Sequence, residues 1–199
     1  MDLPALPSDQ QVFSLSADEF RFRQACYFLQ MFRRSCGVQV PLGSRFLWVP
    51  YADTFLMAVA SLRDVDGAKH KTQLTQSDLF CFVQVMRNLT VHHLVVTSPA
   101  AKFINRTVNL HVGSVPPGAI DWEEPKLVQE SVLKCLDQYE NDLKNNMRLY
   151  NNETPNIDAA RRWVHQNLAS PMTLSDVFDK VVEEIASLCK FAITPPSSN

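Results

Sequence analysis

Apolar side chains recur every three or four residues through most of this chain, and polar or proline- and glycine-bearing stretches separate the periodic runs. The first run follows Ser16-Ala17-Asp18-Glu19, a serine with a glutamate three residues on, which is a capping-box pattern. It predicts a helix from Ser16 through FRFRQACYFLQMFRRSC to Gly37. Arg33 and Arg34 fall in its last turn, where exposed carbonyls favour cations. A second helix is predicted over about 50–64. A third opens at Ser77-Asp78 and runs through LFCFVQVMRNLTVHH, and the polar run 67–76 before it reads as loop.

The period changes after His93. LVVTS is short and β-branched, and TVNLHV at 107–112 alternates, so a short β-hairpin is predicted near residues 94–112 with PAAKFIN in its connection. GSVPPG then reads as loop. Helical spacing returns over about 124–150, with Val128, Val132, Cys135, Leu136, Tyr139, Leu143 and Met147 on one stripe. Thr154-Pro155 has the form of an N-cap followed by proline at the first helical position. It predicts a further helix carrying Ile157, Ala160, Trp163, Val164 and Leu168 that ends at Pro171. Thr173 or Ser175 caps a last helix over about 174–190, with Val177, Val181, Val182, Ile185 and Leu188 inward. The expected fold is mainly α: a bundle of five to six helices with one short β-hairpin. Residues 1–15 read as a flexible N-terminus, 16–193 as a single helical domain and 194–199 as a disordered tail.

Composition narrows the function more than the fold. The 199 residues carry 19 basic and 21 acidic side chains, a net charge of −2, so no global field draws the chain to nucleic acid or an anionic membrane. No apolar run approaches the roughly 18–20 residues of a membrane span. The start MDLPALPSDQQ lacks the basic and apolar regions of a signal peptide. A cytoplasmic protein with no membrane contact is expected, and the N-x-T sequons at Asn88, Asn105 and Asn152 then carry no glycan. The five cysteines, Cys26, Cys36, Cys81, Cys135 and Cys189, are dispersed and form no CxxC pair, so they read as buried thiols rather than as disulfides or metal ligands. Only five glycines are present, and no phosphate loop, HExxH or G-x-S-x-G occurs. No metal and no cofactor are expected.

One segment has chemical promise: Arg87-Asn-Leu-Thr-Val-His-His93, at the end of the third helix. At about 100° per residue, Leu79, Phe82, Val83, Met86 and Leu89 share one face, and His93 falls on it. Arg87 lies on the flank, and Asn88 and His92 lie opposite. Helical phase therefore assigns Leu89 and His93 to packing and leaves Arg87, Asn88 and His92 as candidates. A guanidinium holds phosphate bidentately, an imidazole moves protons near neutral pH, and an amide orients either partner. The bland alternative is a solvated helix face. Arg33-Arg34 and Arg161-Arg162 are basic pairs with the same two readings, solvated positions or contacts to an RNA backbone. Trp163 reads as core, His111 and His165 as surface, and Asp137, Glu140 and Asp142 as a solvated acidic face.

The stretch resembles the R-N-x-x-x-H form of the signature of HEPN domains (higher eukaryotes and prokaryotes nucleotide-binding), an arginine followed after four to six residues by a histidine. The resemblance covers residues 16–98 in helix pattern and the motif alone in residue identity; Arg63…His70 and Arg106…His111 fit the loose spacing as well. It implies an all-helical bundle and, in active members, a metal-independent ribonuclease that acts in stress response or defence. Two copies of the motif would line one cleft of a homodimer. Arg87 would bind the scissile phosphate, Asn88 would match the polar residue after the arginine, and His92 would serve as general acid and base. RNA would be the substrate, and a protein such as an antitoxin a further partner. In a regular helix Arg87 and His92 lie about 140° apart. Either the helix loosens near His92 or a second subunit completes the cleft. A non-catalytic helical protein-interaction module is the competing reading, and a small-molecule enzyme has no motif in its support.

Overall fold

The computed structural model describes residues 3, 14–35, 40–41, 48–65, 70–92, 104–105, 108–109, 119–122 and 126–193. Within them the protein is mainly helical. The helices are α1 (Ala17–Ser35), α2 (Trp48–Ser61), α3 (Lys71–Gln76), α4 (Asp78–His92), α5 (Gln129–Leu143), α6 (Met147–Asn167) and α7 (Leu174–Cys189). Six of these were expected. The addition is α3, in the run read as polar loop: a helix of 6 residues whose one buried side chain is Leu74 leaves no periodic signal.

The β content is slight. β3 (Val108–Asn109) pairs antiparallel with β4 (Ala119–Trp122), Val108 opposite Trp122. β1 (Val40–Pro41) adds to the other side of β4, and β2 (Ile104–Asn105), β5 (Lys126–Leu127) and β6 (Met172–Thr173) form a second small antiparallel set. The short hairpin is thus present, with β3 paired to β4. Residues 94–103 and the GSVPPG loop lie outside the described residues, as do Gly37, Cys36, His93 and His111.

The helix boundaries follow local chemistry. The Ser16 hydroxyl accepts from the Glu19 N–H at 3.4 Å, but the Glu19 carboxylate binds Arg23 at 2.8 Å, so the capping box is made by half. Ser77 caps α4, accepting from the Phe80 N–H at 2.9 Å, and its hydroxyl also donates to Glu184 on α7. The single helix expected over 124–150 is instead broken at 144–146, and α6 starts from Asn146, whose side chain accepts from the Leu149 N–H. Pro155 therefore lies inside α6 rather than at its first turn. The missing N–H leaves the Asn151 carbonyl without a helical partner, and this is tolerated because both residues face solvent. Asn146 wins because helix from residue 147 onward brings Tyr150 over Glu140, to which its hydroxyl donates at 3.1 Å. At the far end Thr173 caps α7, accepting from the Asp176 N–H at 3.1 Å. Lys190 closes it in the left-handed region at φ 59°, and the N–H groups of Lys190 and Phe191 both point at the Ala186 carbonyl.

One hydrophobic core joins all seven helices. Phe178 of α7 packs against Phe55 of α2 at 4.1 Å between ring centroids and against Phe32 of α1 at 5.3 Å. Trp163 of α6 stacks on Phe82 of α4 at 4.5 Å. Leu3 is also buried, and its carbonyl accepts from the Gln30 side chain at 3.1 Å, so the reading of 1–15 as loose does not hold at that residue. Helix α4 lies between α2, α3, α6 and α7. Phe80, Cys81, Gln84 and Val85 are therefore buried along with the predicted face, and the side of α4 assigned to solvent is covered by protein. Gln84 is satisfied there by donating to the Ala60 carbonyl at 2.9 Å. Cys26, Cys81, Cys135 and Cys189 are free and buried, as the sequence suggested. No described helix is long and apolar enough to cross a membrane.

Asp53 on α2 has a buried carboxylate oxygen with no hydrogen-bond partner, and burial pushes its carboxyl up to about 6. Because the folded value lies above the unfolded one, this group favours the fold below about pH 4 and costs stability as pH rises through 6. Asp53→Asn should accordingly raise stability at pH 7 by an amount on the order of 1 kcal/mol, after allowance for solvent screening, and should give no gain at pH 3.5. Chemical denaturation of both proteins at the two pH values measures this directly, and an equal effect at both would contradict it.

Candidate functional site

The described part of the candidate segment, Arg87 to His92, lies at the C-terminal end of α4. It is placed by the cap at Ser77, by the stack of Phe82 on Trp163 and by Arg162 of α6. That arginine grips Asp78 through Nη2 at 2.7 Å and Nε at 3.1 Å. These contacts fix the rotation of α4 about its axis, and so decide what Arg87 and Asn88 face.

Asn88 does not point to open solvent. It is half-buried against the C-terminal helices, and its Nδ2 donates to Glu153 Oε2 on α6 at 3.2 Å. Asn156, one turn later on α6, donates to the same oxygen at 3.3 Å. Arg87, also half-buried, donates from Nη1 to Asn88 Oδ1 at 3.0 Å. Tyr139 of α5 completes the group through a side-chain hydrogen bond with Asn88. Burial, then the negative charge of Glu153, pushes its phenol up to about 12, while the bond from Asn88 and the charge of Arg87 pull the other way. The hydroxyl therefore stays protonated across the physiological range. The adjacent residues Arg87 and Asn88 are thus brought together with Tyr139, Glu153 and Asn156.

His92 closes α4, and the backbone stays helical up to it, so the helix does not loosen between Arg87 and His92. The side chain of His92 lies outside the described residues. Of the two other loose matches, His70 stands 3.6 Å from Asp18 and Arg63 bonds to its neighbour Asp64, while Arg106 and His111 are not described.

Glu153, Tyr139 and Asn156 were missed as site residues. Tyr139 was visible only as part of an apolar stripe, Glu153 fell just before the helix expected to begin at Thr154, and Asn156 lay in the first turn of that helix with nothing to mark it as a partner of α4. On the polar face of α5, Asp137 and Asp142 are exposed, as read, while Glu140 is half-buried. Asp137 and Glu140 both accept from Arg161 of α6, at 2.8 and 2.6 Å, and the Arg161 hydrogen bond holds the Glu140 carboxyl below its ordinary value. Arg161 and Arg162 are thus engaged in cross-helix ion pairs, and Arg33 binds Asp179 of α7. Trp163 is core and His165 is exposed, as read.

A cavity of about 740 Å³ lies elsewhere, lined by Asp18, His70, Gln73, Lys190 and Phe191 among others, and neither Arg87 nor Asn88 is part of its lining. Among the described residues, no group of three or more His, Cys, Asp or Glu is placed to hold a metal ion. No protein-family model matches the chain, and neither does any curated protein or solved structure.

The Asn88–Glu153 bond gives a direct test of this geometry. Asn88→Asp would set a second carboxylate against Glu153 and remove the donor. It should destabilise the fold at pH 7 by roughly 1–3 kcal/mol, measured by urea unfolding. A variant as stable as the parent would mean that the bond contributes nothing.

Proposed function

We propose that the protein is a HEPN-like RNA-binding protein in which Arg87 contacts phosphate, with metal-independent cleavage assisted by His92 once two copies meet. The observation that carries this reading is Arg87 itself, a half-exposed guanidinium beside Asn88 on the central helix of a bundle, with His92 on the same helix. Because α4 stays helical to its end, the separation of Arg87 and His92 by about 140° persists. The general acid and base opposite a given arginine then comes from a second subunit. Chemically, Arg87 meets the charge that grows on the phosphorane, and His92 takes the proton of a ribose 2′-hydroxyl and returns one to the leaving oxygen. Asn88 belongs to the set as the residue that holds Arg87.

A second reading, a non-catalytic helical interaction module, draws on a specific observation too. The Asn88 amide is taken up by bonds internal to the fold, which is what a bracing residue does.

The two readings part on a simple experiment. Arg87→Ala and His92→Ala should each lower the rate of RNA cleavage at least about 100-fold without changing the circular dichroism spectrum, and the wild type should elute as a dimer. Cleavage unaltered in both variants would sink the nuclease reading. A monomer that leaves RNA intact at high protein concentration would favour the interaction module.

A further inference from the structure

We propose that Glu153 is a positioning residue that acts on Arg87 through Asn88, so that the C-terminal helices control the phosphate-binding end of α4. The inference rests on the reading of Arg87 as an RNA contact, and adds to it a residue outside the segment that suggested that reading.

The argument is one of donor and acceptor chemistry. A side-chain amide has two faces, a carbonyl that accepts and an NH₂ that donates, and nothing in its own shape decides which way it turns. A carboxylate offers acceptors only. With Glu153 Oε2 at 3.2 Å, Asn88 must present its NH₂ to α6, and its carbonyl is then left to face the other way. That is where Arg87, which has donors only, meets it at 3.0 Å. The order runs carboxylate, amide NH₂, amide carbonyl, guanidinium, and each group has a single orientation that satisfies it. Reversing the amide would oppose NH₂ to guanidinium and carbonyl to carboxylate at once.

Two further contacts fix the chain at its root. Asn156 donates to the same Glu153 oxygen at 3.3 Å, which keeps the carboxylate from swinging away. Tyr139 hydrogen-bonds with Asn88 from α5. The guanidinium is thereby held at one nitrogen, which restricts its rotation and leaves its fork geometry for a phosphate. Because Glu153 lies on α6 and Asn88 on α4, any shift of α6 along its axis would move the support of Arg87.

The test uses the full chain and Glu153→Gln, which keeps size and removes the acceptor-only character. A glutamine can face Asn88 with either end, so the direction of the Asn88 amide then rests on Arg87 alone and is held from one side instead of two. Two readouts are needed: the side-chain nitrogen–proton resonances of Arg87 and Asn88, and binding of a fluorescently labelled single-stranded RNA oligonucleotide followed by anisotropy. In Glu153→Gln the Arg87 guanidinium protons should exchange faster and the Asn88 amide shifts should move. RNA affinity should fall about tenfold, with the fold intact by circular dichroism, and Glu153→Gln combined with Asn88→Ala should bind no worse than Asn88→Ala alone. Wild-type-like Arg87 and Asn88 resonances in Glu153→Gln would overturn the relay, and so would losses that add independently in the double variant. Unaltered RNA binding by Arg87→Ala would instead overturn the RNA reading and with it the functional half of this inference. The resonances judge the relay in either case.

Discussion

The packing of α4 against α6 sets the terms for the rest of the molecule. Phe82 and Trp163 stack at 4.5 Å, Arg162 grips the first turn of α4, and Glu153 takes the amide of Asn88 near its last turns. The contact is therefore apolar in the middle and polar at both ends. Apolar stacking supplies most of the attraction, being proportional to area and indifferent to direction. The polar ends supply the register, because hydrogen bonds are met in one alignment only. A helix held in this way cannot rotate, and the residues near its C-terminus inherit a fixed outlook.

The remaining helices complete the enclosure of α4. Phe178 brings α7 against Phe32 of α1 and Phe55 of α2. Ser77 serves two elements at once, capping α4 and bonding to Glu184 of α7. The Arg161 link to Asp137 and Glu140 fastens α6 to α5 across a partly exposed seam, where each such pair adds modestly. It follows that the C-terminal helices are part of the same core as the N-terminal ones, and the candidate segment sits at the join.

Much of this was legible in the sequence because the long helices repeat their apolar positions faithfully. The inward set of α7 and the stretch from Ser77 to His92 were both readable from spacing and capping residues. Reading failed where a local signal was true but outweighed. Thr154-Pro155 is a good helix start, yet the tertiary gain of helix beginning at Asn146 prevailed, and the proline was absorbed on the solvent side. Helical phase correctly placed Asn88 opposite the predicted core face, but phase does not say what lies on that side. For a central helix the opposite face meets more protein. The partners of Asn88 were unreadable for the same reason: Glu153 stands 65 residues away, and no periodicity links such positions.

The buried thiols have a consequence of their own. Cys26, Cys81 and Cys189 lie on three different helices, and burial raises each above the ordinary thiol value, Cys26 to about 12 and Cys189 to about 11. Thiolate, the species that alkylating reagents attack, is scarce at these sites while the helices stay packed. Each cysteine thus acts as a built-in clock for its own part of the bundle, silent in the closed state and struck only when that helix breathes. Labelling rates resolved by mass would rank the opening of α1, α4 and α7 without any engineered probe, and so show whether the helix that carries Arg87 moves with the bundle or apart from it.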